Sequence, residues 1–375
     1  MGPSIQLMLN GQPADAGLLA ALSTFEVEEN VDMPSAIELR IPLNRTAEGD
    51  LSSINLESLQ PYSNIAVVAT AENESPQCIF DGFLLSHKLH LERGITSSSV
   101  SVWGQDASWL MNLEEKSREW ADMSDATAAN QIFSEYDITP APENTDNDSP
   151  VHATTARTLM QNATDIQFLR MLGRRTGKLV RVICNGEPGS RIGHFARPKL
   201  NGDPVATLVL NDLEKWNVNM LDIEWDVTRP SEVLAGQTLF SEATEDGATA
   251  DTQGPVLSLL DERDLAAFAT KAVKTRLRTV VSDAEDLKLR AEAVLIDAGW
   301  FVKCNGSTEV SRLKKVLRAG TIVEVKGIGS QHSGKYFVWS VRHSITVDAH
   351  RMSFQLVRNA MGPLAAAPSF GGGLF

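Results

Sequence analysis

Phe80-Asp-Gly-Phe-Leu-Leu-Ser-His-Lys-Leu-His90 and Ser333-Gly-Lys-Tyr-Phe-Val-Trp-Ser-Val-Arg-His343 each place a glycine close to an aromatic residue, pass a serine and end on a histidine. Each follows a short apolar run, Ile65-Ala-Val-Val-Ala69 and Thr321-Ile-Val-Glu-Val325. Each precedes an alternating one, Ser99-Val-Ser-Val-Trp103 and Arg351-Met-Ser-Phe-Gln-Leu-Val357. A period of two over segments of this length marks β-strands with one buried face. Two readings fit: two related β domains separated by other material, or a coincidence of β pattern.

The strand pattern reaches back to the N-terminus. Ile5, Leu7 and Leu9 alternate ahead of the turn pair Asn10-Gly11; Phe25, Val27 and Val31, then Ile37, Leu39, Ile41 and Leu43, alternate after it. Short strands broken by Gly, Pro and Asn suggest a sandwich or barrel, so residues 1–105 are expected to form a first β domain, with His87 on its polar face.

From Asp106 the period becomes helical. Asp106 can cap a helix carrying Trp109, Leu110 and Leu113, and Ser124 one carrying Ala128, Ile132, Phe133 and Tyr136. Past the proline-bounded loop 140–150, Thr164 can cap a third with Ile166, Phe168, Leu169 and Leu172 on one face and Gly177 as its stop, before a strand over 179–184. Residues 106–212 are therefore expected to be an α/β insertion. Strands return near Leu213 through Trp216, Val218 and Met220, then Ile223, Trp225 and Val227; the shift of apolar parity predicts a bulge or two strands. A loop is expected over 242–254, helices over 261–277 and 283–298 with Ser282 capping the second, and strands over 321–325, 336–347 and 352–357. Residues 213–229 with 299–360 then form a second β domain, 230–298 a loop and helical insertion, and 361–375 a flexible tail.

The 375 residues carry 34 Lys+Arg against 48 Asp+Glu, a net charge of −14, with 42% apolar and 22% charged residues. This composition belongs to a globular chain of about two to four domains of ~100–150 residues each. The acidic balance argues against a nucleic-acid coat, which needs cations to displace counterions from phosphate. Cys78, Cys184 and Cys304 are far apart and lack zinc-site spacing, so three small buried hydrophobes in a reducing compartment are expected. Neither a signal peptide nor a membrane span of ~18 apolar residues is legible, so no membrane anchor is expected.

A search for chemistry finds little. His332, His343 and His350 share no simple strand face, which favours solvated or hydrogen-bonded histidines over a metal site. Gly327-Ile-Gly329-Ser-Gln-His-Ser-Gly334 lacks the Lys-Ser/Thr ending of a phosphate loop and reads as a turn between strands. No Gly-x-Ser-x-Gly elbow surrounds Ser330 or Ser333, and the basic clusters at 312–318 and 170–175 read as solvated faces or protein contacts. No catalytic, metal or cofactor-binding residues are assigned.

The order of these features resembles the tail-hub family of contractile phages, the late control gene D proteins, whose hub module also occurs in type VI secretion spike proteins. The likeness is carried by Asn10-Gly11, Val31-Asp-Met-Pro-Ser-Ala-Ile-Glu-Leu39, Phe80-Asp-Gly-Phe83, Gly104-Gln-Asp106 and Thr164-Asp-Ile-Gln-Phe-Leu-Arg-Met-Leu172 with Gly177. It continues through Gly327-Ile-Gly329, Ser333-Gly-Lys-Tyr336, His343 and Phe354-Gln-Leu-Val-Arg-Asn359. Gly173 departs from the family's usual Ala.

The resemblance implies a mixed β and α/β fold with two tube-like antiparallel β-barrel domains and α/β insertions, assembling as a pseudo-six-fold homotrimer. Gly82, Gly327, Gly329 and Gly334 would be structural turns of the barrels, and Phe370 and Phe375 contacts to a spike or neighbouring chain. It further implies a non-enzymatic baseplate hub that adapts a six-fold tail tube to a three-fold spike. Its partners would be the tail tube protein, a separately encoded central spike and other baseplate proteins, with DNA or protein cargo passing without tight binding. The location implied is the virion tail baseplate, or an extracellular contractile particle, assembled in the host cytoplasm. A non-viral injection or secretion spike, and a tail-associated cell-wall hydrolase, are the alternatives. The acidic balance suggests a channel wall that repels a passing phosphate backbone.

Overall fold

The computed structural model describes residues 4–43, 59–93, 98–155, 158–236, 249–281 and 284–363. Twelve strands and the two-residue segment Gln12–Pro13 form one 13-stranded sheet. The first six are β1 (Ser4–Leu9), β2 (Thr24–Asn30), β3 (Ala36–Pro42), β4 (Asn64–Thr70), β5 (Gln77–His90) and β6 (Ser99–Asp106). The others are β7 (Thr207–Val209), β8 (Val218–Trp225), β9 (Val302–Glu309), β10 (Ile322–Lys326), β11 (Gly334–Ile345) and β12 (His350–Arg358).

Neighbours run β8-β9-β12-β11-β2-β3-β6-β5-β4-β1, with β10 between β11 and β7. This is one six-strand unit laid down twice: β2-β3-β6-β5-β4-β1, then β8-β9-β12-β11-β10-β7. Each strand of the first unit has its counterpart six numbers later. The long strand of each unit even slips register at the same place, between Leu84 and Ser86 against β6 and between Val338 and Ser340 against β12. Of the two readings of the opening stretches, the topology supports duplication. One difference remains: β1 is antiparallel to β4, whereas β7 is parallel to β10.

Alternation explains the core. Phe25 and Val27, Ile37, Leu39 and Ile41, and Val100 and Val102 point inward from the first unit; Tyr336, Val338 and Val341, and Met352, Phe354 and Leu356, do so from the second. These side chains belong to one continuous cluster, so burial couples the units rather than leaving two independent cores. Asn10 and Gly11 both have positive φ (48° and 76°), as a two-residue hairpin turn requires, and pair Leu9 with Gln12. A short helix that the sequence reading missed, α1 (Ala16–Ala21), follows; Asp15 caps it by accepting from the Leu18 N–H at 2.8 Å.

The first insertion has its own core of Trp120, Ile132, Phe133, Phe168, Leu169 and Phe195. Its helices α2 (Asp125–Glu135) and α3 (Asp165–Thr176) carry the expected caps, Ser124 and Thr164, and Gly177 ends α3 at φ 72°. Asp106 also caps as expected, but the element is a single 3-10 stretch, Ala107–Asn112, and Leu113 lies exposed. The insertion returns to the large sheet at Thr207, earlier than the expected boundary at 212.

The second insertion corrects two expectations. Residues 261–277 are not a helix: Asp264 caps only the 3-10 turn Leu265–Phe268, and Lys274–Arg278 is a strand. Thr275 and Leu277 are its half-buried positions, a period of two that suits the parallel pairing with Glu232–Gly236. Thr249–Gln253, expected as loop, is the third strand of that small sheet; 242–248 fall outside the described residues, as does the proposed cap Ser282. α4 (Ala284–Gly299) packs on this sheet through Leu287, Ala291 and Leu295. The single strand β8 accommodates the parity shift with a bulge between Val218 and Met220.

Cysteine usage also differs from expectation. Cys78 and Cys184 are joined in a disulfide, and only Cys304 is a free, buried thiol, with burial pushing it up to about 12.

Candidate assembly surface

Two kinds of sheet edge meet in this chain, one paired and one open. The paired one is the joint between the units, where β11 lies antiparallel to β2 from Ser340↔Asn30 to Ile345↔Phe25. On its outer face Arg342 pairs with Glu28 at 2.7 Å, and Ser344 Oγ donates to Glu26 at 3.4 Å. The Glu28 carboxylate beside Arg342 holds the guanidinium above its ordinary value. On the inner face Phe25, Val27, Val341 and Ile345 are buried.

The joint also buries a polar cluster. Burial alone would raise the Glu29 carboxyl, but the Arg318 guanidinium, donating at 2.6 Å, and His343 hold it below its ordinary value. His343 Nδ1 lies 3.0 Å from His350 Nε2. Burial and the neighbouring His343 push His350 down to about 3. His332 stays apart; its carbonyl accepts from the Tyr336 hydroxyl at 2.7 Å. Among the described residues, no group of three or more His, Cys, Asp or Glu is placed to hold a metal ion.

Among the described residues, β8 and the outer half of β5 are open edges. Within the described residues, β8 pairs only with β9. Among the described residues, the backbone of residues 86–90 of β5 pairs with β6 alone, because the β4 ladder ends at Phe83, and the His87 ring lies 2.7 Å from the Leu59 carbonyl oxygen. Large apolar side chains accompany both edges: Leu89 is 56% and Leu91 58% exposed near β5, Met220 52% and Trp225 44% on β8. Edges of this kind invite pairing with another chain.

Of the four glycines expected at turns, Gly327 (φ 80°) and Gly329 (φ 83°) lie between β10 and β11, and Gly334 opens β11. Gly82 is a correction. It sits inside β5, where a Cβ would meet the Gln105 carbonyl oxygen at 2.1 Å, so it is needed for close strand approach and not for a turn. Phe370 and Phe375 lie outside the described residues. The tail's first residues are tied down: Met361 is buried and bridges Arg263, and Gly362 donates its N–H to the Gln331 carbonyl and accepts from the Arg263 side chain. Edge strands that pair across subunits were expected of such barrels, but not which strands carry them; the alternation of Leu89 and Leu91 was the one sequence signal.

Residues 4–347 match the family model described as Alg8 N-terminal domain. The chain belongs to that family. Among curated proteins, none matches this member of the family. Its fold is that of phage tail proteins. It is similar to the 43 kDa tail protein of prophage MuSo2 from Shewanella oneidensis, at 14% identity and TM-score 0.69 over 96% of this chain and 100% of that one. It is similar also to a tail protein from Neisseria meningitidis, at 15% identity and TM-score 0.66 over 96% and 97%. A third likeness, at 13% identity and TM-score 0.55 over 96% and 79%, is to an E. coli protein described as a component of the type VI secretion system with structural similarity to bacteriophage T4 tail proteins. The resemblance read from the sequence thus holds at the level of fold. Among the described residues, no helix is long and apolar enough to cross a membrane.

Proposed function

We propose that this chain is a structural hub in the baseplate of a contractile tail, a homotrimer that joins a six-fold tube to a three-fold spike. The observation that carries the reading is the duplicated six-strand unit within one continuous sheet. Three chains with two such units present six similar units in a ring, which can match a six-fold tube on one face and keep three-fold symmetry on the other. In this reading each unit curls into a barrel wall, the insertions sit outside it, and the excess of acidic residues keeps a phosphate backbone moving along the lumen. The protein acts by shape and symmetry, without catalysis, and its partners are the tube, the spike and other baseplate proteins.

Light scattering behind size exclusion, over a range of concentrations and with separately produced spike, tests the reading. A species of three chains is expected; a monomer under every condition would remove it. The likeness to a secretion-system component favours a second version, a hub that carries protein cargo. Genes for a capsid and packaging motor beside this one would select the phage version, and their absence the secretion one. Release of fragments from peptidoglycan by the purified chain would instead favour the hydrolase alternative.

A further inference from the structure

We infer that a second copy of this chain completes the sheet by laying its β8 along residues 86–91 of the first, in the register that β2 and β11 already use inside one chain. The inference rests on the ring assembly proposed above and assigns its joints to particular strands and side chains.

The register follows from the duplication. The shared bulge superposes Leu84 on Val338 and Ser86 on Ser340. Crossing the first unit from Leu84 leads through Gly104 and Ile37 to Val27; crossing the second from Val338 leads through Leu356 and Cys304 to Ile223. Ile223 therefore occupies the place of Val27, and Leu89 that of His343. Since His343 faces Val27 within the chain, Leu89 faces Ile223 of the second copy. Leu91 then meets Leu221, Lys88 meets Glu224, His90 meets Asp222 and His87 meets Trp225.

Three observations independent of that superposition agree with it. The first is charge. Lys88 falls opposite Glu224 where Arg342 pairs with Glu28 at 2.7 Å, and His90 opposite Asp222 where Ser344 donates to Glu26. No like charges face each other in this register. The second is face. Leu221 and Ile223 of β8 already pack against the core as Phe25 and Val27 do, while Asp222 and Glu224 point out as Glu26 and Glu28 do. The third is exposure. Leu89 and Leu91 are open to solvent where their counterparts His343 and Ile345 are buried, and a second β8 would cover them. The joint between copies is also the more apolar, with Trp225 and Leu89 in the places of the buried Glu29 and His343.

A register can be trapped covalently. The full-length variant Lys88→Cys/Glu224→Cys, mildly oxidised, is expected to yield a covalent three-chain species, while neither single variant does. The slipped pair Lys88→Cys/Asp222→Cys is expected not to link. Charge reversal gives a second reading free of thiols. Lys88→Glu should weaken self-association by about ten-fold or more, and Lys88→Glu/Glu224→Lys should restore it. A chain that self-associates while the matched pair stays unlinked, or the slipped pair links as well, overturns the register and leaves the hub reading standing. A chain that neither links nor associates at any concentration overturns both.

Discussion

At the joint inside the chain a carboxylate and two imidazoles share a largely buried space, and Glu29 and His350 set a pH dependence there. His350, ordinarily near 6.5, is pushed down to about 3 by burial and by His343. The unfolded chain takes up a proton on this group below 6.5 and the folded chain resists doing so, so stability is lost as pH falls from 6.5 toward 3. Glu29 acts in the same direction: its carboxyl lies below 4.5, and the stability of its ionised form goes as pH falls through that lowered value. Arg318 and Arg181 also face the cluster, Asp81 and Asp106 line the space beside Glu29 and Asp348 that beside His350, and burial pushes Arg181 down to about 10 although Glu29 favours its charged form. A thermal midpoint falling steadily with acidification is expected, at most about 1.4 kcal/mol per pH unit for each such group. His350→Gln, which keeps a donor and an acceptor but cannot titrate, should flatten the dependence; equal slopes in the two proteins would contradict this account. A second prediction concerns backbone approach. Gly82→Ala drives a methyl into the Gln105 carbonyl and should cost about 1–3 kcal/mol in urea unfolding. Gly236→Ala, with open space around the new methyl, should be neutral or mildly stabilising; equal costs at both sites would show that crowding is not the cause.

The strand β5 holds the first insertion as well as the sheet. Cys78 is bonded to Cys184 at the end of the strand Leu179–Cys184, Cys78 N–H donates to Gly186, and Asp81 takes Arg191 at 2.7 Å and the Gly189 N–H. A cross-link closing 106 residues of sequence restricts the unfolded chain by about 4–5 kcal/mol in the chain-entropy view. Reductant should therefore lower the unfolding free energy by up to that amount. Cys78→Ser/Cys184→Ser without reductant should match the reduced protein, and an unchanged denaturation curve would rule the cross-link out. Cysteine spacing left this pairing illegible, because only the fold brings the two residues together. Much else at this scale was legible. Caps at Ser124 and Thr164, the stop at Gly177 and the alternations of β2, β3, β6 and β12 carry their own local signals. What stayed hidden was β9, whose inward positions include Cys304 and Gly306, too small to print a hydrophobic period. Gly306 is nevertheless confined, since a Cβ there would crowd Leu221 and Phe354. The strand Lys274–Arg278 was misread for the complementary reason: its order comes from partners in Glu232–Gly236, while its composition suits a helix equally well. Which strands hold the open edges was the least legible feature, because an apolar alternation such as Leu89 and Leu91 reads the same whether its cover comes from this chain or from another.

For the whole molecule, the duplication gives two joints of similar geometry but different thermodynamic order. The joint of β11 with β2 is closed within one chain and independent of concentration. The inferred joint of β8 with β5 forms between copies and strengthens with concentration by mass action. If both bury core residues, unfolding should show the difference directly: the thermal midpoint should rise with protein concentration across the range in which the three-chain species forms. The two ion pairs then separate the joints. Lys88→Glu, at the outer one, should abolish the rise while leaving the midpoint of the dilute protein unchanged. Arg342→Glu sets two carboxylates face to face at the inner one, so it should lower the midpoint at every concentration and leave the rise in place. The inner joint also holds Glu29 on Arg318, and ion pairs join Lys314 to Glu72 and Lys315 to Glu74 across the units. Those contacts let a single chain keep both units together before any ring forms. A midpoint independent of concentration in the unaltered protein, or one that Lys88→Glu and Arg342→Glu shift alike, would mean that the two joints are not the inner and outer copies of one contact.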